Sequence, residues 1–361
     1  MTTQQTTTPT IDQDRLMAFV FRAVEEVGAT LNTALVVLGD ELGYYRALAE
    51  HGPLTAAELA GRTSTAEPYA REWCHAQAAG GFIELDEASG RFTLPAEHAV
   101  ALTDASSPAY LPGLFQIALG TVADAGRLAE AARSGTGVGW HEHGNDVIDG
   151  CERFFAPSYQ AYLVDAWLPA AGLDEDLRRG IRVADIGCGH GASTVLMAQA
   201  FPQSRFVGSD YHEPSIEVAR RRAEDAGVGA NTSFETSLAV KVGGEGFDLA
   251  TTFDALHDMG DPDGAARHVH RLLADGGRWL IVEPMAGDAP QDNFNPVGRA
   301  YYGFSTLLCT PASLSQEGAA AIGTQAGPAR VEQIVTGAGF ASCETVATTP
   351  FHRVMLARRT D

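Results

Sequence analysis

The stretch VADIGCGHGASTVLM, residues 183–197, decides the fold of this chain. An apolar strand pattern ends at Asp185, a turn with three glycines follows, and a helical pattern begins directly after the third glycine. Glycines let the backbone approach a ligand closely, and the N-terminus of a helix offers unpaired N–H groups. This stretch predicts a strand, a ligand-binding turn and a helix, which together open an α/β sheet.

Strand and helix patterns alternate from residue 181 onward, which is typical of a doubly wound sheet. The predicted strands cover residues 182–187, 205–210, 232–237, 247–253 and 278–284. Between and after them, helices are predicted over residues 192–200, 215–226, 263–273 and 329–337. A hairpin of residues 342–349 and 351–359 is expected to close the sheet, and residues 285–328 are expected to form a long irregular insert.

Two kinds of cofactor fit the glycine turn. The spacing Gly187-x-Gly189-x-x-Ala192 satisfies the dinucleotide pattern, which is weak when taken alone. Asp185, two residues before the first glycine, completes the pattern D-x-G-x-G-x-G that suits S-adenosylmethionine (SAM). A carboxylate there attracts a cationic sulfonium and amino group but repels a pyrophosphate, so the pattern favours SAM. Asp210 ends the next predicted strand and is placed to accept from ribose hydroxyls.

Helical patterns dominate the N-terminal third of the chain. Residues 12–50 carry apolar side chains at helical spacing and predict two helices that are expected to take part in a subunit interface. Residues 52–98 predict a winged helix, in which Thr55 and Glu58 have the spacing of a capping box at the start of its first helix. A hairpin around residues 87–90 completes the pattern.

Charge argues against nucleic acid as the partner of this winged helix. The 361-residue chain has 46 acidic and 25 Lys and Arg residues, a formal net charge of −21, which repels phosphate backbones and anionic membranes. Residues 46–97 alone hold four Arg against eight acids. The pattern favours a structural or dimerisation module, and a regulator that binds SAM as a ligand remains the alternative.

The cysteine pattern predicts a cytoplasmic protein. The five cysteines are scattered without a CxxC pair, which is typical of reduced thiols. No apolar run is long enough for a membrane helix, and residues 1–11 are predicted to be a disordered polar tail.

Four segments together resemble the class I SAM-dependent methyltransferases: VADIGCGHG, VGSD, TTFDALHDMGDP and GGRWLIVEP. With the winged helix in front of them, the chain resembles small-molecule O-methyltransferases, including many actinobacterial natural-product enzymes. The resemblance implies an α/β protein whose Rossmann-like, seven-stranded methyltransferase domain follows an α-helical winged-helix dimerisation domain. The implied division is a tail (1–11), a dimerisation domain (12–100), a helical linker and substrate cap (101–180) and a SAM-binding domain (181–361) with the 285–328 insert.

The resemblance also implies roles for single residues. SAM is the implied cofactor, with S-adenosylhomocysteine (SAH) as product, and a small-molecule acceptor and a second copy of the chain are the implied partners. The implied cofactor-binding residues are Asp185, Gly187, Gly189, Gly191, Asp210, Tyr211, Ser237, Phe253, Asp254 and Leu256. Relatives often have an acid after the third strand, whereas this chain offers Thr236 or Ser237 there.

His257 and Asp258 resemble the His-Asp pair that follows the fourth strand in winged-helix O-methyltransferases, where the histidine is the general base. A phenol is poorly ionised at neutral pH, and a histidine can remove its proton as the new bond forms. Methyl transfer from a sulfonium also requires the nucleophile, methyl and sulfur to be aligned. If carbon or nitrogen is methylated, His257 only orients the substrate. A nicotinamide oxidoreductase and a methyltransferase-like protein with other chemistry are the remaining alternatives.

The acceptor pocket is harder to place. Residues 140–167 are rich in aromatic and polar side chains, which line either a pocket or an inter-domain core. Residues 291–315, after the fifth strand, fall where α/β sheets bind ligands. The substrate candidates are Trp140, His143, Phe155, Tyr159, Asn295, Arg299 and Tyr302, of which Arg299 suits an acidic group. No metal is expected, because the pair His141 and His143 has no evident third ligand.

Overall fold

The computed structural model describes residues 11–360, which divide into a unit of residues up to Asp104 and a unit from Ala105 onward. The predicted tail, residues 1–10, lies outside the described residues. No helix among those described is long and apolar enough to cross a membrane.

The first unit has the predicted winged-helix pattern. Its elements are α1 (Gln13–Glu41), α2 (Tyr44–His51), α3 (Ala56–Thr63), α4 (Glu67–Ala79), β1 (Glu84–Asp86), β2 (Arg91–Thr93) and α5 (Ala96–Thr103). The Thr55 side chain accepts from the Glu58 backbone N–H while the Glu58 carboxylate accepts from the Thr55 N–H, so the predicted capping box is present. Strands β1 and β2 pair antiparallel as the wing.

The second unit contains a seven-stranded sheet. Its strands are β3 (Arg182–Ile186), β4 (Arg205–Asp210), β5 (Thr232–Thr236), β6 (Phe247–Phe253), β7 (Leu273–Pro284), β8 (Ser342–Thr348) and β9 (His352–Arg358). They lie in the order β5-β4-β3-β6-β7-β9-β8. The first five run parallel, while β9 runs antiparallel to both β7 and β8. The predicted closing hairpin is therefore confirmed.

Helices cover both faces of this sheet. They are α6 (Pro112–Ala123), α7 (Ala125–Ser134), α8 (Asn145–Tyr162), α9 (Leu168–Ala170), α10 (Asp174–Arg179), α11 (Ala192–Ala200), α12 (Glu213–Asp225), α13 (Pro262–Leu272), α14 (Pro296–Phe304), α15 (Thr310–Leu314) and α16 (Pro328–Gly337). Successive strand residues point to opposite faces, so Val183 and Ala184 enter two different apolar cores. The central strands β3 and β6 are almost fully buried, as parallel strands with helices on both sides should be.

The insert at residues 285–328 differs from the expectation of an irregular segment. It contains α14, a π-helical turn at Ser305–Cys309 and α15. Asn295 caps α14 by accepting from the Gly298 N–H, and Pro296 occupies the first helical turn. This Asn-Pro start signal is in the sequence, and the prediction of an irregular insert was wrong because it gave that signal no weight.

Candidate functional site

A cavity of about 250 Å³ opens at the carboxyl edge of the sheet. Four of its lining residues each directly follow a parallel strand: Gly187 after β3, Tyr211 after β4, Ser237 after β5 and Asp254 after β6. The chain reverses its direction of strand addition between β3 and β6, and α/β sheets bind ligands beside such a switch point. The topology thus brings four sequence-predicted residues to one cavity.

The glycine turn forms the floor of this cavity. Gly187, Gly189 and Gly191 all have positive φ, at 74°, 52° and 73°. A Cβ on Gly187 would lie 2.7 Å from the Ala255 Cβ, so even alanine would not fit without a shift. Gly187 and Gly189 line the cavity, and Gly191 is the N-cap of α11.

Asp210 connects the turn to the next strand. Its carboxylate accepts from the Gly189 N–H at 2.9 Å and from the His212 N–H at 2.9 Å, and it lines the cavity. Burial raises the pKa of this carboxyl group. The side chain therefore presents carboxylate oxygens at the cavity wall in a fixed orientation.

Asp185 lies beneath the turn. Its carboxylate is fully buried and accepts from three hydroxyl groups, those of Ser193, Thr194 and Thr251. Burial raises its pKa against the effect of these donors. The three hydroxyls tie β3 to β6 and to α11, and Asp185 is not part of the cavity wall. The structure thus places this carboxylate within the scaffold of the turn.

Asp254 is a cavity carboxylate with one oxygen left without a partner in the described residues. It has a positive φ of 49°, its side chain is 4% exposed, and it lines the cavity. Oδ2 accepts from the Tyr159 hydroxyl at 2.8 Å and lies 3.4 Å from His352 Nε2. Oδ1 has no hydrogen-bond partner within residues 11–360. A buried carboxylate oxygen without a donor is costly unless a ligand supplies one.

His257 is enclosed by carboxylates. Its Nδ1 lies 2.7 Å from Glu283 Oε2 and its Nε2 lies 3.2 Å from Asp258 Oδ1, while Cys309 also bonds to the ring. Burial opposes a charged imidazole, yet Asp258 and Glu283 outweigh it and hold the pKa of His257 well above its usual range. Asp258 lines the cavity and accepts from Trp140 Nε1 at 3.1 Å, whereas His257 lies behind it.

Metal-ligating side chains meet at this same place. His257, Asp258 and Cys309 are the one group of three found in the described part of the chain, with ligand atoms within 4.8 Å of one another. The expectation that the protein holds no metal stays a prediction.

The remaining site candidates divide into wall residues and scaffold residues. Besides those above, Phe253, Trp140 and Tyr159 line the cavity, and Leu256 is buried beside it without contributing to the wall. His143 pairs with Asp124 at 2.7 Å. The remaining substrate candidates lie outside the wall: Phe155, Asn295, Arg299 and Tyr302.

Several wall and support residues were not among the single site residues predicted from the sequence, although Glu152 lies in the 140–167 stretch predicted to line a pocket or a core. The wall includes Cys151, Glu152, His190, Leu238 and Gln316, and the supports include Glu283 and His352. His190 and Glu283 could have been found, because one lies within the glycine turn and the other ends a buried strand.

The fold and the site define a class of protein. Residues 177–312 match the family described as a methyltransferase domain, and residues 30–104 match the Rv2258c-like winged HTH domain. The chain therefore combines a methyltransferase domain with an N-terminal winged-helix domain.

Individual relatives agree with this class. A demethylmenaquinone methyltransferase of Thermus thermophilus is 28% identical over 121 residues, which are 34% of this chain and 54% of that protein. The chain thus spans about half of the length of this curated relative.

Solved structures match over nearly the whole chain. An O-methyltransferase family protein from Burkholderia thailandensis has a TM-score of 0.69 at 19% identity, covering 95% of this chain and 98% of that one. An O-methyltransferase from neocarzinostatin biosynthesis, in complex with SAH and 1,4-dihydroxy-2-naphthoic acid, has a TM-score of 0.63 at 19% identity, covering 94% and 98%. At this identity the likeness shows the fold.

Proposed function

We propose that this protein is a SAM-dependent methyltransferase that acts on a small organic acceptor. The observation that carries the proposal is Asp254, which lines the cavity and whose buried Oδ1 has no donor among residues 11–360. A ligand with a sulfonium and an ammonium group supplies the cationic partner that this oxygen lacks. The Asp210 carboxylate, held by the turn, suits the hydroxyls of a ribose. The methyltransferase family match and the SAH-bound neighbour agree with this fit.

When bound, SAM supplies an activated methyl group for in-line displacement by the acceptor. The chain's own residues then bind and orient the two partners. Gly187 and Gly189 admit the ligand to the backbone, and Tyr211 and Leu238 offer apolar surface where the adenine is expected. Holding the two partners in line lowers the activation free energy by several kcal/mol, and the upper range of this effect is roughly 7–11 kcal/mol.

We propose a hydroxyl-bearing aromatic acceptor. Trp140, Tyr159 and Met259 line the cavity beside Asp258, and aromatic rings pack well against such a wall. The neocarzinostatin enzyme above was solved in complex with a dihydroxynaphthoic acid, which is a hydroxyl-bearing aromatic compound.

The surroundings of His257 favour a positioning role over the role of general base. Its two carboxylate neighbours raise the pKa of His257 and so favour the protonated imidazole, which cannot accept a proton. We therefore assign the acceptor's proton to the Asp258 carboxylate at the wall, with His257 as a positioning residue behind it. Direct proton removal by His257 would require the ring to move toward the cavity.

Binding calorimetry with the purified full chain tests the cofactor. SAH is expected to bind with a Kd in the micromolar range, and NAD is expected not to bind, because the cavity wall is acidic and a pyrophosphate would be repelled. An Asp254→Asn variant should lose about tenfold in SAH affinity through the lost charge. Binding of NAD without binding of SAH would reject the proposed function.

We further propose that the first unit joins two copies of the chain rather than binding DNA. The α4 helix holds Arg71, which bonds to both Glu67 and Glu72 and is therefore neutralised. The α1 helix exposes an apolar stripe with helical spacing: Leu16, Val20, Val24, Val27 and Leu31. In a two-fold dimer the same surface meets itself, so the stripe on this 29-residue helix would pack against the same stripe of a second copy.

Substitutions in this stripe should split the dimer. Val24→Asp combined with Leu31→Asp places two carboxylates in the proposed interface, so light scattering after gel filtration should report a monomer where the wild type is a dimer. Val100→Asp, at an exposed apolar position of α5, is the matched control and should stay dimeric. A monomeric wild type at micromolar concentration would contradict the proposal.

A further inference from the structure

The insert of residues 285–328 holds the backbone beside the Asp258 carboxylate. The Asp258 carbonyl accepts from Gln316 Nε2 at 2.8 Å, and the Met259 carbonyl accepts from Ser313 Oγ at 2.8 Å. Asp258 and Met259 are both buried, so these side chains supply the hydrogen bonds that water would otherwise make to the two carbonyls. The position of this backbone therefore depends on the insert.

The next residue, Gly260, contacts the insert in both directions. Its N–H donates to Gln316 Oε1 at 3.1 Å, and its carbonyl accepts from the Ala320 N–H at 2.9 Å. A Cβ on Gly260 would lie 2.6 Å from the Gln316 Cβ and 2.6 Å from the Glu317 carbonyl oxygen, so a larger residue would push the two segments apart. Three consecutive residues, 258–260, are thus bonded to the insert.

The same part of the insert also holds the segment that carries Trp140. The Pro311 carbonyl accepts from the Val138 N–H at 3.0 Å. Trp140 Nε1 in turn donates to Asp258 Oδ2 at 3.1 Å, and both side chains line the cavity. The insert therefore bonds to both of the segments that meet in this hydrogen bond.

Gln316 lines the cavity, yet the protein itself uses its amide group. Nε2 donates to the Asp258 carbonyl and also to the Ala312 carbonyl at 3.1 Å, so both of its N–H groups are engaged. Oε1 accepts from the Gly260 N–H. A side chain whose donors are both engaged can position a neighbour but has no N–H to offer a ligand.

We propose that Gln316 and Ser313 are positioning residues that set the place of the Asp258 carboxylate at the cavity wall. This inference rests on the proposed function, in which Asp258 takes the proton of the acceptor. A proton acceptor must lie within hydrogen-bond reach of the hydroxyl that it serves, and a fixed backbone keeps it there. Removal of these contacts should loosen the carboxylate while the sheet stays folded.

The hydrogen bond between Trp140 and Asp258 reports the place of this carboxylate without any ligand. The chain has four tryptophans, and proton–nitrogen correlation spectra of the labelled full chain give one indole N–H signal for each. The exchange of each indole N–H with water is then measured separately. Asp258→Ala removes the acceptor and sets the scale for a lost bond.

Two variants remove the contacts from the insert. Gln316→Met has a side chain of similar length without the amide, so exchange at the Trp140 indole should rise at least about tenfold, toward the value in Asp258→Ala. Ser313→Ala loses one hydrogen bond to the segment and should raise this exchange about threefold or more. Ser313→Ala also keeps the test open if Gln316→Met does not fold.

Two controls separate positioning from general stability. Gln325→Met makes the same change within the insert, where Gln325 Nε2 donates to the Thr324 carbonyl, and should leave Trp140 exchange within about twofold of wild type. The indole groups of the other tryptophans lie elsewhere in the chain and should keep their wild-type exchange in every variant: Trp73, Trp167 and Trp279.

Unchanged exchange at Trp140 in both Gln316→Met and Ser313→Ala overturns the positioning role. A rise at all four indole groups together with a lower melting temperature, in both variants, assigns the two residues to general stability and also overturns it. If Asp258→Ala leaves Trp140 exchange unchanged, the reporting bond is not made and the proposal fails. Calorimetry with SAH tests the proposed function separately, since wild type can fail to bind SAH while the Trp140 result stands.

Discussion

Replacing Asp210 with asparagine is expected to weaken SAH binding by about 100-fold. The Asp210 carboxylate accepts from the Gly189 and His212 N–H groups and faces the cavity. An asparagine would turn one acceptor oxygen into an NH₂ group, which either opposes a backbone N–H or faces the ribose without accepting from it. Hydrogen bonds to a charged group are worth roughly 1.5–3 kcal/mol each, and two of them correspond to about two orders of magnitude in affinity.

The measurement is SAH titration by calorimetry, with a thermal melt for each variant. Asp225→Asn, the same change at an exposed position at the end of α12, is the matched control and should bind as wild type does. If Asp210→Asn binds SAH within about threefold of wild type while its melting temperature is unchanged, Asp210 does not contact the ligand.

The elements that could be predicted from sequence are those specified by neighbouring residues. The strand, turn and helix of residues 183–197 carry their own signals in the form of apolar runs and glycines. The capping box of α3 is equally local, since Thr55 and Glu58 lie one turn apart. The predicted strands 205–210 and 247–253 likewise end directly before Tyr211 and Asp254, which the resemblance to methyltransferases implied as cofactor-binding residues and which line the cavity.

The parts that could not be predicted depend on residues far apart in the chain. Asp185 was expected to face the ligand, but Thr251, 66 residues further on, supplies one of three hydroxyls that hold it under the turn. The role of His257 as general base stays a prediction, but the sequence did not show that Glu283, 26 residues further on, bonds to its ring, or that Asp258 rather than His257 lines the cavity. No periodicity in the sequence reports which side chain a distant strand places beside another.

Replacing Glu283 with alanine is expected to lower the free energy of unfolding by about 3–5 kcal/mol. Glu283 is buried, and its two oxygens accept from the Leu256 N–H at 3.0 Å and bond to His257 Nδ1 at 2.7 Å. Its loss leaves a buried N–H unpaired and the buried His257 ring with one carboxylate fewer, and breaking a buried pair has this cost. Glu283→Gln keeps an acceptor for Leu256 and should lose less. Glu344→Ala, on the exposed face of β8, should change stability by no more than about 0.5 kcal/mol.

The pH dependence of this loss identifies its source. The pKa of His257 is raised in the folded protein, so its contribution to stability is fully present below the unfolded pKa of about 6.5. That contribution is lost as the pH rises through the folded pKa, because the imidazole then gives up its proton in both states. The difference between wild type and Glu283→Ala in urea unfolding should therefore shrink as the pH rises above about 6.5 and through the folded pKa of His257. A difference that stays constant over this range would mean that the carboxylate acts by accepting from Leu256 alone, and His257 would then be neutral and available to accept a proton from the substrate.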